Sequence, residues 1–258
     1  MAHTLTRRLR GLFRRPTCVG LAMSGGAVRG LAHLGVLSVL EEAGIEVDVV
    51  SGTSAGSFVG AFVAAGMSVA EMIEVAKSTS WPEISSLRVP RRGFLSSAPM
   101  EEFLHKHLGI DRIDDLAKPY AATAVSLNTG ELVAFTEGPL AKAVMASTCI
   151  PGVFAPVRID GQLFVDGGVS SFDPVGEAKD LGADYVISSR LATPRRPEHE
   201  PRTIIDIMLA SFDLAFAHIS DLEPRGDVTI TPDLEGTNPY DFHQLDDLIE
   251  RGKEAARK

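Results

Sequence analysis

Twice near its start the chain runs from a short apolar stretch into a glycine-rich turn and then into an apolar stretch of helical spacing. No other feature limits the fold as much. Thr17 to Met23 reads as a strand and Ser24 to Gly30 as a glycine-rich loop. Val28 to Ala43 reads as a helix, with Leu31, Leu34, Leu37, Val39 and Leu40 apolar and Gly44 as its stop. Val47 to Ser51 then reads as a second strand, Gly52-Thr53-Ser54-Ala55-Gly56 as a turn, and Gly56 to Ala65 as an apolar helix. Strand, helix and strand in this order predict parallel neighbours joined by a right-handed crossover.

The remaining pattern extends this start into a mixed sheet between helix layers. Helices are expected at Val69 to Ser78, Met100 to Leu108, Pro139 to Ser147, Glu177 to Leu181, Thr203 to Leu222 and Leu245 to Ala256. Strands are expected at Tyr120 to Ser126 and Glu131 to Thr136 around Asn128-Thr129-Gly130, and at Val157 to Ile159 and Gln162 to Asp166 around Asp160-Gly161. Tyr185 to Ser188 and Val228 to Thr231 complete the strands. Ser80 to Ala98, with Arg88, Arg91 and Arg92 beside Trp81 and Phe94, reads as a mobile loop or lid.

Composition narrows the function classes. With 258 residues and 45% hydrophobic content, the chain can bury one large core. A formal charge of -9 argues against nucleic acid as a partner. Cys18 and Cys149 have no metal-ligand spacing and read as small hydrophobes in a reducing, cytoplasmic setting. Gly56 to Met67 is too short to span a bilayer. Thr203 to Leu222 carries Asp206, Asp213 and Asp221 as a polar helical stripe, which predicts a soluble amphipathic helix. Residues 1–16 differ from the rest: Arg7, Arg8, Arg10, Arg14 and Arg15 accompany Leu5, Leu9, Leu12 and Phe13. A solvated tail and a peripheral membrane-surface segment are the two readings of that stretch.

The second turn fits G-x-S-x-G, in which a sharp strand-to-helix turn presents a serine oxygen at a sheet edge. Ser54 is therefore a candidate nucleophile, flanked by Gly52 and Gly56. The first turn, "SGGAVRG", breaks the dinucleotide fingerprint, because Gly25 and Gly26 are adjacent and Ala27 stands where a second spaced glycine is needed. Its small residues form a nest of N–H groups at a helix start, suited to an anion or a transient oxyanion, with Arg29 adding positive charge. Among the histidines, His105, His107, His199, His218 and His243 all sit away from strand-end glycine turns. Asp166, in "QLFVDGGV", does end an apolar strand and precedes Gly167-Gly168. In parallel sheets ligands gather at such carboxyl ends, so Ser54 and Asp166 could meet there.

"SGGAVRG", "GTSAG" and "DGG", in this order, resemble the three signature blocks of the patatin-like phospholipases, and the flanking text resembles the bacterial, RssA-like members. The resemblance implies a three-layer α/β/α sandwich with a mixed, mostly parallel sheet. It implies a Ser–Asp dyad, with Ser54 as nucleophile and Asp166 as base. It implies an oxyanion hole from the N–H groups of Gly25 and Gly26 together with Ala55, with Arg29, Gly30, Gly52, Gly56, Gly167 and Gly168 as supporting motif positions. Neither cofactor nor metal is implied. The domain so described covers residues 17–258, behind a basic extension of residues 1–16. The expected activity is hydrolysis of fatty-acyl esters of lipids or phospholipids. The alternatives are a non-catalytic acyl-ligand-binding or regulatory protein on the same fold, and an unrelated nucleotide-binding α/β protein. Two departures stand out: many members carry a third glycine in the first block, and Ser170-Ser171-Phe172-Asp173-Pro174 replaces their common asparagine-bearing segment.

Overall fold

The computed structural model describes residues 17–87, 93–191 and 200–258, less the side chains of Ile205, Ser220 and Asp221. The basic extension, Arg88, Arg91, Arg92 and His199 lie outside the described residues. β1 (Val19–Met23) leads through a 3-10 turn (Ala27–Leu31) into α1 (Ala32–Glu42), β2 (Val49–Thr53) and α2 (Ala55–Ala64). α3 (Val69–Ser78), a short α4 (Trp81–Ile84), a two-stranded ribbon of β3 (Ser86–Leu87) and β4 (Leu95–Ser96), and α5 (Ala98–Leu108) follow. The chain continues through β5 (Tyr120–Ser126), β6 (Leu132–Phe135), α6 (Leu140–Ser147), β7 (Val157–Ile159), β8 (Gln162–Asp166) and α7 (Val175–Asp180). β9 (Tyr185–Ser189), α8 (Ile204–Leu222), β10 (Val228–Ile230) and α9 (Leu245–Ala256) complete it.

The main sheet runs β10-β9-β1-β2-β5-β8-β7, with β6 also paired to β5. The pairings from β10 to β5 are parallel, as the crossover start predicts, while β6, β8 and β7 pair antiparallel. Strand alternation sorts β1 between two layers. Leu21 and Met23 face the main core with residues of α1, α2, α3, α5, α6 and α9, whereas Ala22 faces Val175, Ala178 and Val186 beneath α7. β5 is buried along its whole length, so it is a central strand.

Two expectations need correction. Ser80 to Ala98 is structured where it is described. Trp81 opens α4, donates its indole N–H to the Tyr240 carbonyl at 2.9 Å and meets Phe242 edge to face. An indole with a polar anchor and an aromatic neighbour is held as part of a wall, not at a lid tip. α8 exists as expected, but one of its acids, Asp213, does not face outward. Asp206 caps its own helix start, accepting the Thr203 N–H at 2.9 Å, and Asp213 is half-buried near Arg29. Asp206 stays exposed, and Ile204 and Ile207 are exposed beside it, at 86% and 56%. The inward face is taken by Leu209, Phe212 and Phe216, and Asp213 turns in with them toward the buried guanidinium.

Candidate active site

Ser54 stands between β2 and α2 with φ 53° and ψ -122°, a conformation that costs a non-glycine residue energy. The turn is held from several sides. The Ser54 N–H donates to Ser147 Oγ at 2.9 Å, and the Ser54 carbonyl accepts from the Ser57 N–H at 2.9 Å and the Ser57 hydroxyl at 2.7 Å. A methyl group on Gly56 would lie 2.0 Å from the Met23 carbonyl oxygen, and one on Gly52 would lie 2.4 Å from Gly56. Backbone packs on backbone at both positions, so only glycine fits. Gly30 packs against Ala55 from the neighbouring turn.

The sheet register explains how Asp166 reaches this serine. Ala122 and Thr123 pair with both β2 and β6, and Ala124 and Val125 pair with both β6 and β8. A strand has two edges, so β2 and β8 share the edge opposite β6. β2 ends where Thr53 pairs with Thr123; β8 ends where Asp166 pairs with Ala124, coming from the opposite direction. The two carboxyl ends therefore meet head-on. Asp166 and Ser54 were expected to meet at one end of a parallel sheet, but it is the antiparallel course of β8 that brings them together.

Asp166 is 2% exposed. Burial pushes its carboxyl up to about 7, while hydrogen bonding from the Ser54 side chain and from the Gly168 N–H, at 2.8 Å, pulls the other way. Gly167 packs against Thr123. The carboxylate is thus a stronger base than an exposed aspartate, and it lies beside the Ser54 hydroxyl.

The glycine-rich loop differs in detail from expectation. The Gly25 N–H already donates to the Phe172 carbonyl at 3.3 Å. The N–H groups of Gly26 and Ala27 have no partner among the described residues, and Ala27 adopts a left-handed φ of 51°. Ala55 is the first residue of α2, where an N–H has no intrahelical acceptor. Arg29 is buried rather than on a helix surface. Its Nε donates to Thr237 Oγ1 at 3.0 Å, a second nitrogen donates to the Thr237 carbonyl, and its charge acts on Asp213 and Tyr240.

Two cavities meet at Ser54. One has about 940 Å³ of empty space, partly open to solvent, and is walled by Leu34, Phe58, Phe62, Met72, Val75 and Ala76 among other apolar groups. The other has about 600 Å³ and brings Asp166, Arg29, Asp213 and Tyr240 together with Phe172, Phe212 and Phe216. Ala27, Ser54 and Ile150 belong to both walls.

Of the described histidines, His105, His218 and His243 are exposed, and His107 packs on Phe103. His33 is fully buried behind the glycine-rich loop. Sequence reasoning missed His33, Ser147, Asp213 and Tyr240. Ser147 and Tyr240 carry no motif, and the helical spacing of Asp213 pointed to a solvent face.

The family model for patatin-like phospholipases matches residues 21–179. An uncharacterized NTE family protein of Mycobacterium tuberculosis is 30% identical over 281 residues, covering 98% of this chain and 47% of that protein. Lysophospholipase NTE1 of Coccidioides immitis is 32% identical over 192 residues, covering 72% of this chain and 12% of that one. The chain thus spans less than half the length of either relative. Among solved structures, VipD from Legionella pneumophila has a TM-score of 0.54 at 15% identity, over 94% of this chain and 66% of that one. ExoU of Pseudomonas aeruginosa, in its complex with SpcU, has a TM-score of 0.50 at 17% identity, over 94% and 51%. At these identities the likeness to the solved structures concerns the fold. Matched over residues 21–179 by the family model, with the signature blocks in order, this chain belongs to the patatin-like phospholipase family.

Proposed function

We propose that the protein is a serine acyl hydrolase of fatty-acyl esters of lipids or phospholipids, working through Ser54 and Asp166 and a covalent acyl-enzyme. The observation that carries this reading is the head-on approach of β2 and β8, which sets Ser54 beside Asp166 where a large apolar cavity meets one that holds charged groups. Ser54 Oγ attacks the ester carbonyl carbon and its proton passes to the Asp166 carboxylate. The developing oxyanion takes the N–H groups of Gly26, Ala27 and Ala55, and the Gly25 N–H joins only by leaving the Phe172 carbonyl. Loss of one such donor costs about 2.7–4 kcal/mol in a serine protease, so these groups carry much of the barrier lowering. Asp166 then returns the proton to the departing alcohol. Water repeats the sequence on the acyl-enzyme and releases the fatty acid.

The apolar cavity suits the acyl chain, and the one that holds Arg29, Asp213 and Tyr240 suits the alcohol and the incoming water. A relative named as a lysophospholipase supports including monoacyl phospholipids in the substrate panel. The catalytic unit is proposed as residues 17–258. Fluorophosphonate labelling followed by a lipid-ester panel tests the reading: labelling and turnover in the wild type, both lost in Ser54→Ala, is the expected result. A folded wild-type protein without labelling or turnover would favour the non-catalytic acyl-ligand-binding alternative.

The reading extends to a peripheral membrane surface on the cytoplasmic side. No helix among the described residues is long and apolar enough to cross a membrane. Support comes from the arginines and apolar residues of residues 1–16 and from exposed Ile204 and Ile207 on α8. Each arginine near an anionic surface contributes about 1 kcal/mol, so binding to anionic vesicles should weaken with salt and fall when residues 1–16 are deleted. Equal sedimentation of full-length and truncated proteins would reject a role for that segment.

A further inference from the structure

We propose that His33 is a positioning residue for the oxyanion loop: it fixes the plane of the Ser24–Gly25 peptide from inside the protein and thereby aims the N–H groups that follow at Ser54. This rests on the catalytic reading above. His33 lies on α1, fully buried. Its Nε2 is 3.0 Å from the Ser24 carbonyl oxygen and its Nδ1 is 2.7 Å from Ser189 Oγ. A carbonyl can only accept, so Nε2 carries the hydrogen, and Nδ1 must accept from the Ser189 hydroxyl. Burial pushes His33 down to about 4, so the ring is neutral near pH 7 and keeps this one-donor, one-acceptor pattern.

The peptide plane transmits the constraint. In a planar trans peptide the carbonyl and the following N–H point opposite ways. His33 holds the Ser24 carbonyl on one side, and the Phe172 carbonyl receives the Gly25 N–H on the other. The same residues are tied again by the Ser24 N–H to the Ser189 carbonyl at 3.1 Å and by the Leu191 N–H to Ser24 Oγ at 2.8 Å. With that peptide fixed at both ends, the next two N–H groups, of Gly26 and Ala27, are left without an internal partner at the wall shared with Ser54. His33 touches neither cavity wall, so its effect passes through the loop.

The test compares His33→Leu, which removes the donor, with His33→Gln, whose amide can restore it. Three readouts are taken on a soluble short-chain ester: kcat, KM and affinity for a trifluoromethyl ketone, which forms an oxyanion on the serine. His33→Leu should lower kcat by about 10- to 100-fold, less than outright loss of a donor, with KM within about threefold. Affinity for the ketone should fall by a similar factor, and His33→Gln should recover most of both. Unchanged kcat per folded molecule, a kcat loss without the matching ketone loss, or a folded His33→Gln without recovery would overturn the proposal. If His33→Leu does not fold, Ser189→Ala decides. It leaves the Nε2 bond but frees the ring, and should lower kcat and ketone affinity together by a few-fold; no change in either would overturn the proposal. Fluorophosphonate labelling of wild-type Ser54 keeps the two readings apart: with labelling present, failure of the histidine variants removes this inference alone.

Discussion

The two cavities that meet at Ser54 are built differently. The apolar one is walled mainly by neighbouring segments, from Ala27 through Leu34, Phe58 and Met72 to Ile84, so helical periodicity packs most of it from one part of the chain. The mixed one is assembled from remote pieces: Gly25 to Arg29, Asp166 to Phe172, Leu191, four residues of α8, and Pro239 with Tyr240. The first is an ordinary consequence of amphipathic helices that do not fill the space beneath the elbow. The second gathers buried charge: Arg29 donates to Thr237, and its guanidinium acts on half-buried Asp213. Local patterning therefore accounts for most of the apolar side, and residues remote in sequence account for most of the other.

Removing Ser54, where the two sides meet, or its neighbour Asp166 should have the largest effect. Ser54→Ala should lower kcat by at least about 10³-fold with the fold intact, while a fluorescent fatty acid still binds the apolar side. Asp166→Asn should be of similar size, because an amide cannot take the proton. Comparable turnover in either folded variant would break the assignment of a joint site.

The proposed base, Asp166, gives the next effect. With its carboxyl near 7, turnover should fall roughly tenfold per pH unit below that value, since only the ionised form accepts a proton. Stability runs the opposite way. The folded-state value lies above the ordinary 3.8, so this group's contribution is complete below 3.8 and is lost as pH rises through about 7. Asp166→Asn should flatten that part of a Tm-against-pH curve. A rate profile level between pH 5 and 8 would count against Asp166 as base.

Filling one side should separate it from the other. Ala76→Phe places a ring in the apolar wall and should lower kcat/KM for a long acyl chain about 10- to 100-fold relative to a butyryl ester. Asp213→Asn should leave chain-length preference alone and shift preference among alcohols by less than about tenfold. If Asp213→Asn changed the chain-length profile, the two cavities would not be separate compartments.

The smallest effect lies at the shared wall. Ala27 has a left-handed φ of 51°, which costs an L-residue roughly 1–2 kcal/mol. Glycine removes that strain but loosens the unfolded chain by about 0.4–1 kcal/mol. Ala27→Gly should therefore raise stability by about 0.5–1 kcal/mol, read as a small rise in Tm. A fall in Tm would mean that the methyl group contributes more packing than its conformation costs.

Much of this was present in the order of the residues. The crossover start, the elbow around Ser54, the strand ending at Asp166 and most helix positions follow from short-range periodicity and from glycines where backbone must touch backbone. That Gly52 and Gly56 flank a turned serine is a local steric matter, and local sterics are written in local sequence. What needed the tertiary structure is whatever depends on pairing across the chain. Only the register of β5 shows that β2 and β8 share an edge and meet end to end. Only the packed core gives His33 its two partners, spends the Gly25 N–H on Phe172 and turns Asp213 inward. Hydrogen-bond and charge satisfaction are decided by which distant groups are buried together, and a linear pattern of polar and apolar residues does not encode that choice one residue at a time.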